Sequence, residues 1–180
     1  MTLSVLDESA AATGPIFSVD KWSVNEMVLS HEKVGILWQM LQRYRTLFSD
    51  LTRADQNNFV RVITLPGSMW FEVRERDTIV GIIWFGDMDQ MVDCTAHMMF
   101  FDRQPAEKVG VCRGMVKWMF GNFPLHRITV TVPTIYHATI RLLERIGMKY
   151  EGRKREAALM GGKWNDMMIY GITRSESEEM

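Results

Sequence analysis

The chain has few residues that could tie it together through covalent or metal bonds. It contains only two cysteines in 180 residues, Cys94 and Cys112, and their spacing is not that of a zinc-binding pair. Reduced cysteines in a core are typical of a reducing compartment, so we expect a cytoplasmic protein. The four histidines lack the spacing of metal ligands, and no metal site is predicted; they are His31, His97, His126 and His137.

Long apolar runs and a surplus of one charge are also missing. The longest apolar stretch, residues 79–85, is far shorter than the roughly 18 residues that a membrane-spanning helix needs. The first residues show no basic segment followed by an apolar one, so neither a secretory signal nor membrane association is expected. A formal net charge of −1 argues against extensive binding to nucleic acid, which usually requires a basic surplus.

What is present is typical of one globular domain. Hydrophobic residues make up 47% of the 180 positions, and a chain of this length can bury a sizeable core. Residues 1–15 lack a periodic pattern and are expected to be a flexible leader. Residues 16–174 are predicted to form the domain, and the acidic residues 175–180 are expected to be a frayed tail.

The first two thirds of the chain carry patterns of both helix and strand. A first strand is predicted between Ile16 and Trp22, and a stripe at 3.6-residue spacing predicts a helix over 32–48. A second helix is predicted over 54–63, with Thr52 as its N-cap. The later patterns predict a hairpin over 69–74 and 78–85, a strand over 91–101 and a helix over 108–120.

The last third shows the clearest order of elements. β-Branched residues alternate with polar ones over 127–132, which predicts a strand. A short helix follows and ends before Gly147, a residue that suits a left-handed cap. A final hairpin turns at 161–162. The complete order predicts an α/β (α+β) fold with a mixed sheet.

Three segments of this last third resemble the Gcn5-related N-acetyltransferase (GNAT) superfamily. Residues 140–148, 151–156 and 162–170 are most similar to the branch that acetylates ribosomal-protein alanine. Residues 123–127 also resemble GNAT-like proteins encoded by tailed bacteriophages. The resemblance implies the GNAT fold, in which a mixed, mostly antiparallel central sheet is flanked by helices on both faces.

In this superfamily acetyl-CoA lies at the fourth strand and the start of the next helix, where a glycine motif lets backbone N–H groups bind the pyrophosphate. Aligned by the helix stripe, the family glycines fall at Ala106 and Lys108, so the motif is degraded. A second alignment uses Gly110 but places Glu107 beside phosphate. The charged residues could also be the solvated start of a helix. The implied cofactor-binding residues are Phe100, Phe101, Arg103, Ala106, Lys108, Val109 and Gly110.

The resemblance also implies where the proton chemistry lies. The family motif Asn-x-x-Ala corresponds to residues 136–139, and the family's acid, a tyrosine, falls at Leu143, which cannot donate a proton. Tyr136 is then the implied substitute acid, and His137 the implied base for the amine. A backbone donor for the acyl oxygen is expected within 99–101, at a bulge in the strand. Other possible bases are Glu72, Asp93 and His97.

These features imply an acetyl-CoA-dependent N-acetyltransferase in which an amine attacks the acetyl group directly. The acceptor could be a protein N-terminus, a lysine or a small-molecule amine. The degraded motif leaves an alternative, a catalytically inactive GNAT-fold binding or assembly protein encoded by a phage. Its partner would be a phage-particle component or a second copy of the chain, and its compartment the host cytoplasm. An RNA-directed role for the basic residues of 141–155 competes with an ordinary solvated surface.

Overall fold

The computed structural model describes residues 14–43, 48–89, 92–101 and 105–180. One eight-stranded sheet organises this part of the chain. Its strands are β1 Phe17–Val19, β2 Trp22–Glu26, β3 Met69–Glu75, β4 Thr78–Asp89, β5 Asp93–Phe100, β6 Arg127–Pro133, β7 Lys149–Met160 and β8 Lys163–Thr173. The helices are α1 His31–Arg43, α2 Asp50–Ala54, α3 Gln56–Ile63, α4 Pro105–Asn122, α5 His137–Ile146 and α6 Arg174–Glu178.

The strands lie in the order β1-β2-β3-β4-β5-β6-β8-β7. Every neighbouring pair is antiparallel except β5 and β6, which run parallel. A parallel pair needs a crossover connection, and α4 supplies it. The predicted mixed, mostly antiparallel sheet with helices is confirmed. No helix among the described residues is long and apolar enough to cross a membrane.

The sheet has two apolar faces because side chains alternate along each strand. Phe71 and Val73 of β3 belong to the larger core, which α4 and α5 cover. Trp70 of β3, Ile82 of β4 and Met99 of β5 belong to a second core. Helices α1 and α3 cover that second core, so helices flank both faces as predicted. We call the second side the α1–α3 face.

The N-terminal half differs from the prediction in detail. The expected single strand from Ile16 to Trp22 is a hairpin of β1 and β2, because Asp20 adopts a positive φ of 52° and turns the chain. The helix expected over 54–63 corresponds to α3, Gln56–Ile63, and a separate short helix, α2, precedes it. Ser49 caps α2, and Asp55 caps α3 by accepting a hydrogen bond from the Asn57 N–H, so Thr52 is not the cap.

The acidic C-terminal residues form a helix, and the expected frayed tail is wrong. Thr173 and Glu176 make a capping box at the start of α6, a motif that satisfies two free backbone N–H groups. Lys149 Nζ lies 2.6 Å from Glu176 Oε1 and lowers the pKa of Glu176 to about 2. The Lys117 ammonium donates a hydrogen bond to the Met180 carbonyl at 2.7 Å. The expected leader, residues 1–15, lies mostly outside the described residues.

Two glycines let β1 pack closely against α4. An added Cβ at Gly110 would lie 2.6 Å from Val19 Cγ1, and one at Gly114 would lie 2.5 Å from Phe17 Cε2. Real Cβ atoms do not approach other carbon atoms this closely. Glycine at these two positions therefore leaves the space that β1 occupies. Gly110 is therefore a packing residue in this fold.

We predict that Gly110→Ala destabilises the protein by about 1–2 kcal/mol, because overpacking outweighs the gain in helix propensity. Val19→Ala should recover most of this loss in the double variant. The matched control is Gly121→Ala on the same helix, where an added Cβ meets nothing within 4 Å and stability should rise by about 0.5–1 kcal/mol. Urea unfolding of Gly110→Ala, Val19→Ala, their double variant and Gly121→Ala measures these differences. An unchanged unfolding curve for Gly110→Ala would contradict the packing role.

Candidate functional site

The parallel strands β5 and β6 separate early, which opens a gap in the middle of the sheet. They pair only from Asp93 to Thr95, opposite Arg127 to Thr129. Beyond Thr95, β5 stays paired to β4 as far as Phe100, while β6 stays paired to β8 as far as Pro133. We call the gap between residues 96–100 and 130–133 the wedge. It leaves backbone groups of two central strands without a strand partner.

The strand register places backbone donors in the wedge. The Phe101 N–H donates to the Val80 carbonyl at 2.8 Å, so odd-numbered residues of this part of β5 bond to β4. Because donors alternate along a strand, the N–H groups of Met98 and Phe100 point toward β6. The register between β4 and β5 is continuous here, and its bulge lies between Gly86 and Asp89. The prediction of a bulge within 99–101 is therefore wrong.

Helix α4 begins at Pro105, just after the end of β5. The first turn of a helix has free N–H groups, and proline suits its first position. This start places Ala106 and Lys108 in the first turn, as the preferred alignment requires. Gly110 lies in the second turn, where its N–H belongs to the helix ladder and its missing side chain faces Val19. The second alignment is therefore not favoured.

The other proposed cofactor residues do not all share one face. Phe100 stacks on Trp22 with ring centroids 6.0 Å apart, and the Lys108 ammonium lies 5.5 Å from the Phe100 ring centroid. Val109 packs against the core under α4 and α5, whereas Phe101 packs against the core of the α1–α3 face. Phe100 and Phe101 therefore lie on opposite sides of the sheet. Arg103 lies outside the described residues, as do the side chains of 105–107.

Tyr136 and His137 lie where β6 leads into α5, at the open end of the wedge. Tyr136 is the N-cap residue of α5, but its side chain makes no capping bond. Burial raises the pKa of Tyr136, and the nearby Arg53 and Asp50 act on it with opposite, smaller effects. His137 is exposed, and Leu143 is completely buried. The structure thus brings Tyr136, but not Leu143, close to α2 and the wedge.

A stack of rings crosses the α1–α3 face and ends at the wedge. Trp70 and Trp84 are cross-strand partners with ring centroids 4.8 Å apart, and Trp84 stacks on His97 at 4.7 Å. Phe48 stacks on Trp84 at 5.6 Å. Because His97 is on β5 beyond the last residue paired with β6, it is the ring at the wedge.

His97 is held in conditions that favour a neutral imidazole. Burial lowers the pKa of His97, and the carboxylate of Asp87 only partly opposes this effect. An open cavity of about 470 Å³ lies at the end of β4 on the side of Asp87, and it is lined by Leu65, Pro66, Gly67, Asp87 and Met88. Asp87 therefore both lines this cavity and acts electrostatically on His97.

The two carboxylates considered as bases are engaged by cations. Asp93 accepts hydrogen bonds from the Thr129 hydroxyl at 2.9 and 3.0 Å and lies 3.4 Å from Arg127 Nε. Glu72 is buried, accepts a 2.7 Å hydrogen bond from Arg74 and lies 3.5 Å from Lys33 Nζ. Both carboxylates are therefore already paired with cations of neighbouring side chains.

The parallel strand pair thus separates in front of the start of α4, whose free N–H groups can bind an anion. A family model described as an acetyltransferase (GNAT) domain matches residues 42–169. The chain belongs to the GNAT acetyltransferase family. It is accordingly a GNAT-type acyltransferase, and the predicted superfamily is confirmed. No curated protein matches the chain significantly.

Solved acetyltransferase structures share this fold. Spermidine N-acetyltransferase from Vibrio cholerae, solved in complex with CoA and spermine, is 12% identical with a TM-score of 0.70, and the match covers 88% of this chain and 98% of that one. A chimeric form of the Vibrio cholerae enzyme gives a TM-score of 0.74 at 12% identity, covering 89% and 100%. A probable acetyltransferase gives a TM-score of 0.66 at 16% sequence identity, and the match covers 85% of this chain and 94% of that one.

We predict that His97 makes the protein less stable as the pH falls below about 6.5, the ordinary histidine pKa. Its folded-state pKa is lowered, so the unfolded chain binds the extra proton more readily and stability is lost until the pH passes the folded pKa. His97→Phe, which keeps a stacking ring, should remove this component. Urea unfolding at pH 7.5 and 5.5 measures it, with His137→Gln as the control that retains the dependence.

Proposed function

We propose that the protein is an acetyl-CoA-dependent N-acetyltransferase that transfers an acetyl group to an amine by direct attack. The observation that carries the proposal is the wedge, with the Met98 and Phe100 N–H groups directed into it. Family membership and the fold shared with an enzyme solved with CoA support it. The comparisons lend no support to the alternative, an assembly protein without turnover.

The described residues fit acetyl-CoA. The wedge offers backbone donors to an extended chain that carries amide groups, and the first turn of α4 offers N–H groups to phosphate oxygens. Lys108 adds a positive charge at that turn, and Arg103, outside the described residues, stays a predicted cofactor-binding residue. Acetyl-CoA supplies the activated acyl group, and the Phe100 N–H is the proposed donor to its carbonyl oxygen.

The proposed base is His97, which takes the place of His137. An amine must lose its proton before it can attack, and an imidazole with a lowered pKa is available as a neutral acceptor at pH 7. His97 lies on β5 just beyond the last residue paired with β6, whereas His137 is exposed at the first turn of α5. Tyr136 is the proposed acid for the leaving thiolate because it lies at the open end of the wedge.

The acceptor is proposed to be a small-molecule amine. The cavity at the end of β4 has about 470 Å³ and carries one carboxylate, Asp87, in its lining, which suits a small ammonium group. The Vibrio cholerae enzyme of the same fold was solved with spermine, and this agrees with the proposal. A protein N-terminus and a lysine are the competing acceptors.

Cofactor binding can be tested by thermal unfolding with acetyl-CoA, with the affinity measured by calorimetry. Ligand at 100 times its dissociation constant should add about 2.7 kcal/mol of stability. Lys108→Glu should weaken binding at least tenfold (about 1.4 kcal/mol) because it places a negative charge beside phosphate. Lys154→Glu, at an exposed position on β7, is the control with unchanged affinity. No stabilisation at millimolar acetyl-CoA would refute the enzyme proposal.

The roles of the proton-transfer groups can be tested by kinetics. His97→Gln should lower kcat/KM for an amine about 10²–10⁴-fold at pH 7, as expected for loss of a general base, while acetyl-CoA affinity stays the same. His137→Gln should change kcat/KM less than threefold, on the order of ordinary surface variation. The reverse ranking of these two variants would restore His137 as the base.

A further inference from the structure

Side chains on one face of the sheet reinforce the short pairing between β5 and β6. Asp93 and Thr95 of β5 lie opposite Arg127 and Thr129 of β6. The Thr129 hydroxyl oxygen lies 3.0 and 2.9 Å from the two carboxylate oxygens of Asp93. This hydrogen bond therefore links the first paired residue of β5 to the last paired residue of β6. We call these two side chains, Asp93 and Thr129, the clamp.

Arg127 extends this polar network toward the edge of the sheet. Its Nε lies 3.4 Å from Asp93 Oδ2, and its Nη2 lies 2.5 Å from Glu151 Oε2 on β7. Between β6 and β7 lies β8, where Gly171 is the cross-strand partner of Thr129. A Cβ at Gly171 would lie 2.5 Å from Arg127 Nη2, so glycine leaves room for the ion pair. Arg127 thus contacts the same carboxylate that accepts the Thr129 hydroxyl.

The clamp lies on the same face of the sheet as His97. Side chains alternate along a strand, and Ile128 of β6 belongs to the larger core, so Thr129 faces the opposite side, the α1–α3 face. On β5, Met99 belongs to the core of that face, and Asp93 and His97 lie on the same side as Met99. The clamp is therefore at the closed end of the wedge, on the face that carries the proposed base.

Backbone pairing alone joins β5 and β6 over a short distance. It covers residues 93–95 and 127–129, and a parallel pair is slightly less stable per residue than an antiparallel one. Beyond it, β5 follows β4 while β6 follows β8, and neighbouring strands of a twisted sheet point in different directions. A side-chain link at the last pair is placed where it opposes further separation of the two strands.

We propose that Asp93 and Thr129 are positioning residues, because the clamp fixes the point at which β5 and β6 separate. That point sets the width of the wedge at Phe100, whose N–H is the proposed donor to the acyl oxygen. Without the clamp the strands would part earlier, and this N–H would move away from the oxygen. Neither clamp residue touches the substrate in this role. The inference rests on the proposed acetyltransferase function and deepens it.

Amide hydrogen exchange reports the clamp without any need for activity. Thr129→Val removes the hydroxyl but keeps a β-branched side chain of nearly the same shape. Exchange in residues 94–95 and 128–129 should become about fivefold faster, because local opening is easier. Thr95→Val is the matched control on the same face, since the Thr95 hydroxyl makes no hydrogen bond to a residue that the structure describes. Equal exchange in the two variants would contradict the clamp.

Steady-state kinetics report the consequence for catalysis. In Thr129→Val, kcat should fall about tenfold while the KM for acetyl-CoA changes little, because a misplaced transition-state donor acts on the chemical step. The factor should be the same for 1-aminobutane and for a lysine-containing peptide with a blocked N-terminus, because the donor acts on the acyl group. Thr95→Val should keep the kcat of the unaltered protein.

Thr129→Ser separates positioning from stability. Serine keeps the hydroxyl but loses the methyl group, so it suits a strand less well than valine does. If Thr129 only stabilised the sheet, Thr129→Ser would be both the less stable and the less active of the two variants. The clamp predicts the opposite order of activity, with kcat retained in Thr129→Ser and lost in Thr129→Val. Urea unfolding of both variants gives the order of stability.

Asp93→Ala and its double variant with Thr129→Val complete the test. Both substitutions break the same link, so the double variant should have a kcat close to that of Asp93→Ala. Loss of activity in Asp93→Ala with unchanged kcat in Thr129→Val would make Asp93 a base and overturn the positioning role. Equal losses in Thr129→Val and Thr95→Val, or a loss confined to one acceptor, also overturn it. Turnover by the unaltered protein reports the acetyltransferase function, so its absence with both acceptors overturns both proposals.

Discussion

The early separation of β5 and β6 is the constraint on which the rest of the site depends. A parallel pair inside an eight-stranded sheet would normally keep its hydrogen bonds along its full length, since unpaired buried backbone groups are unfavourable. Here pairing stops at Thr95, yet both strands continue because each has another neighbour on its outer side. The sheet therefore stays intact while its centre offers unpaired donors. A ligand that can bond to both sides of such a gap replaces the missing strand contacts.

The two faces of the sheet contribute different chemistry to this gap. Helices α4 and α5 start next to its open end and bring helix N-termini, which favour negative charge. The opposite face brings a ring stack that ends at His97. In the proposed function, the cofactor side and the acceptor side are thereby separated by the thickness of one sheet. The amine and the activated acyl group would then meet where the strands part.

Much of the fold could be predicted from the sequence, because it depends on local periodicity. The alternation over 127–132 and the cap at Gly147, whose φ is 98°, are local signals, and both predicted elements are present. The β1–β2 hairpin and α6 were missed. Asp20 turns the chain without the glycine that usually marks such a position. The acidic tail contains a capping box, Thr173 with Glu176, that was not recognised.

The site was harder to predict because it depends on register between distant strands. His97 and Trp84 meet only because residues 84 and 97 are cross-strand partners, and no local pattern shows this. Gly110 carried the signal of a cofactor glycine, but its neighbour is Val19, which lies far away in sequence. The hydrogen bond from the Gly162 N–H, in the turn between β7 and β8, to the Asp50 carboxylate is equally invisible in either segment alone. Only the position of Tyr136 after the fifth predicted strand could be read directly.

The ring stack also couples the fluorescence of a tryptophan to the charge of His97. Trp84 lies in van der Waals range of His97 on one side and of Trp70 on the other. A protonated imidazole withdraws an electron from an excited indole more readily than a neutral one does, so the emission of Trp84 depends on the charge of the neighbouring ring. The fluorophore is part of the fold and touches the group that it reports. The protein therefore carries its own optical indicator of the protonation of His97.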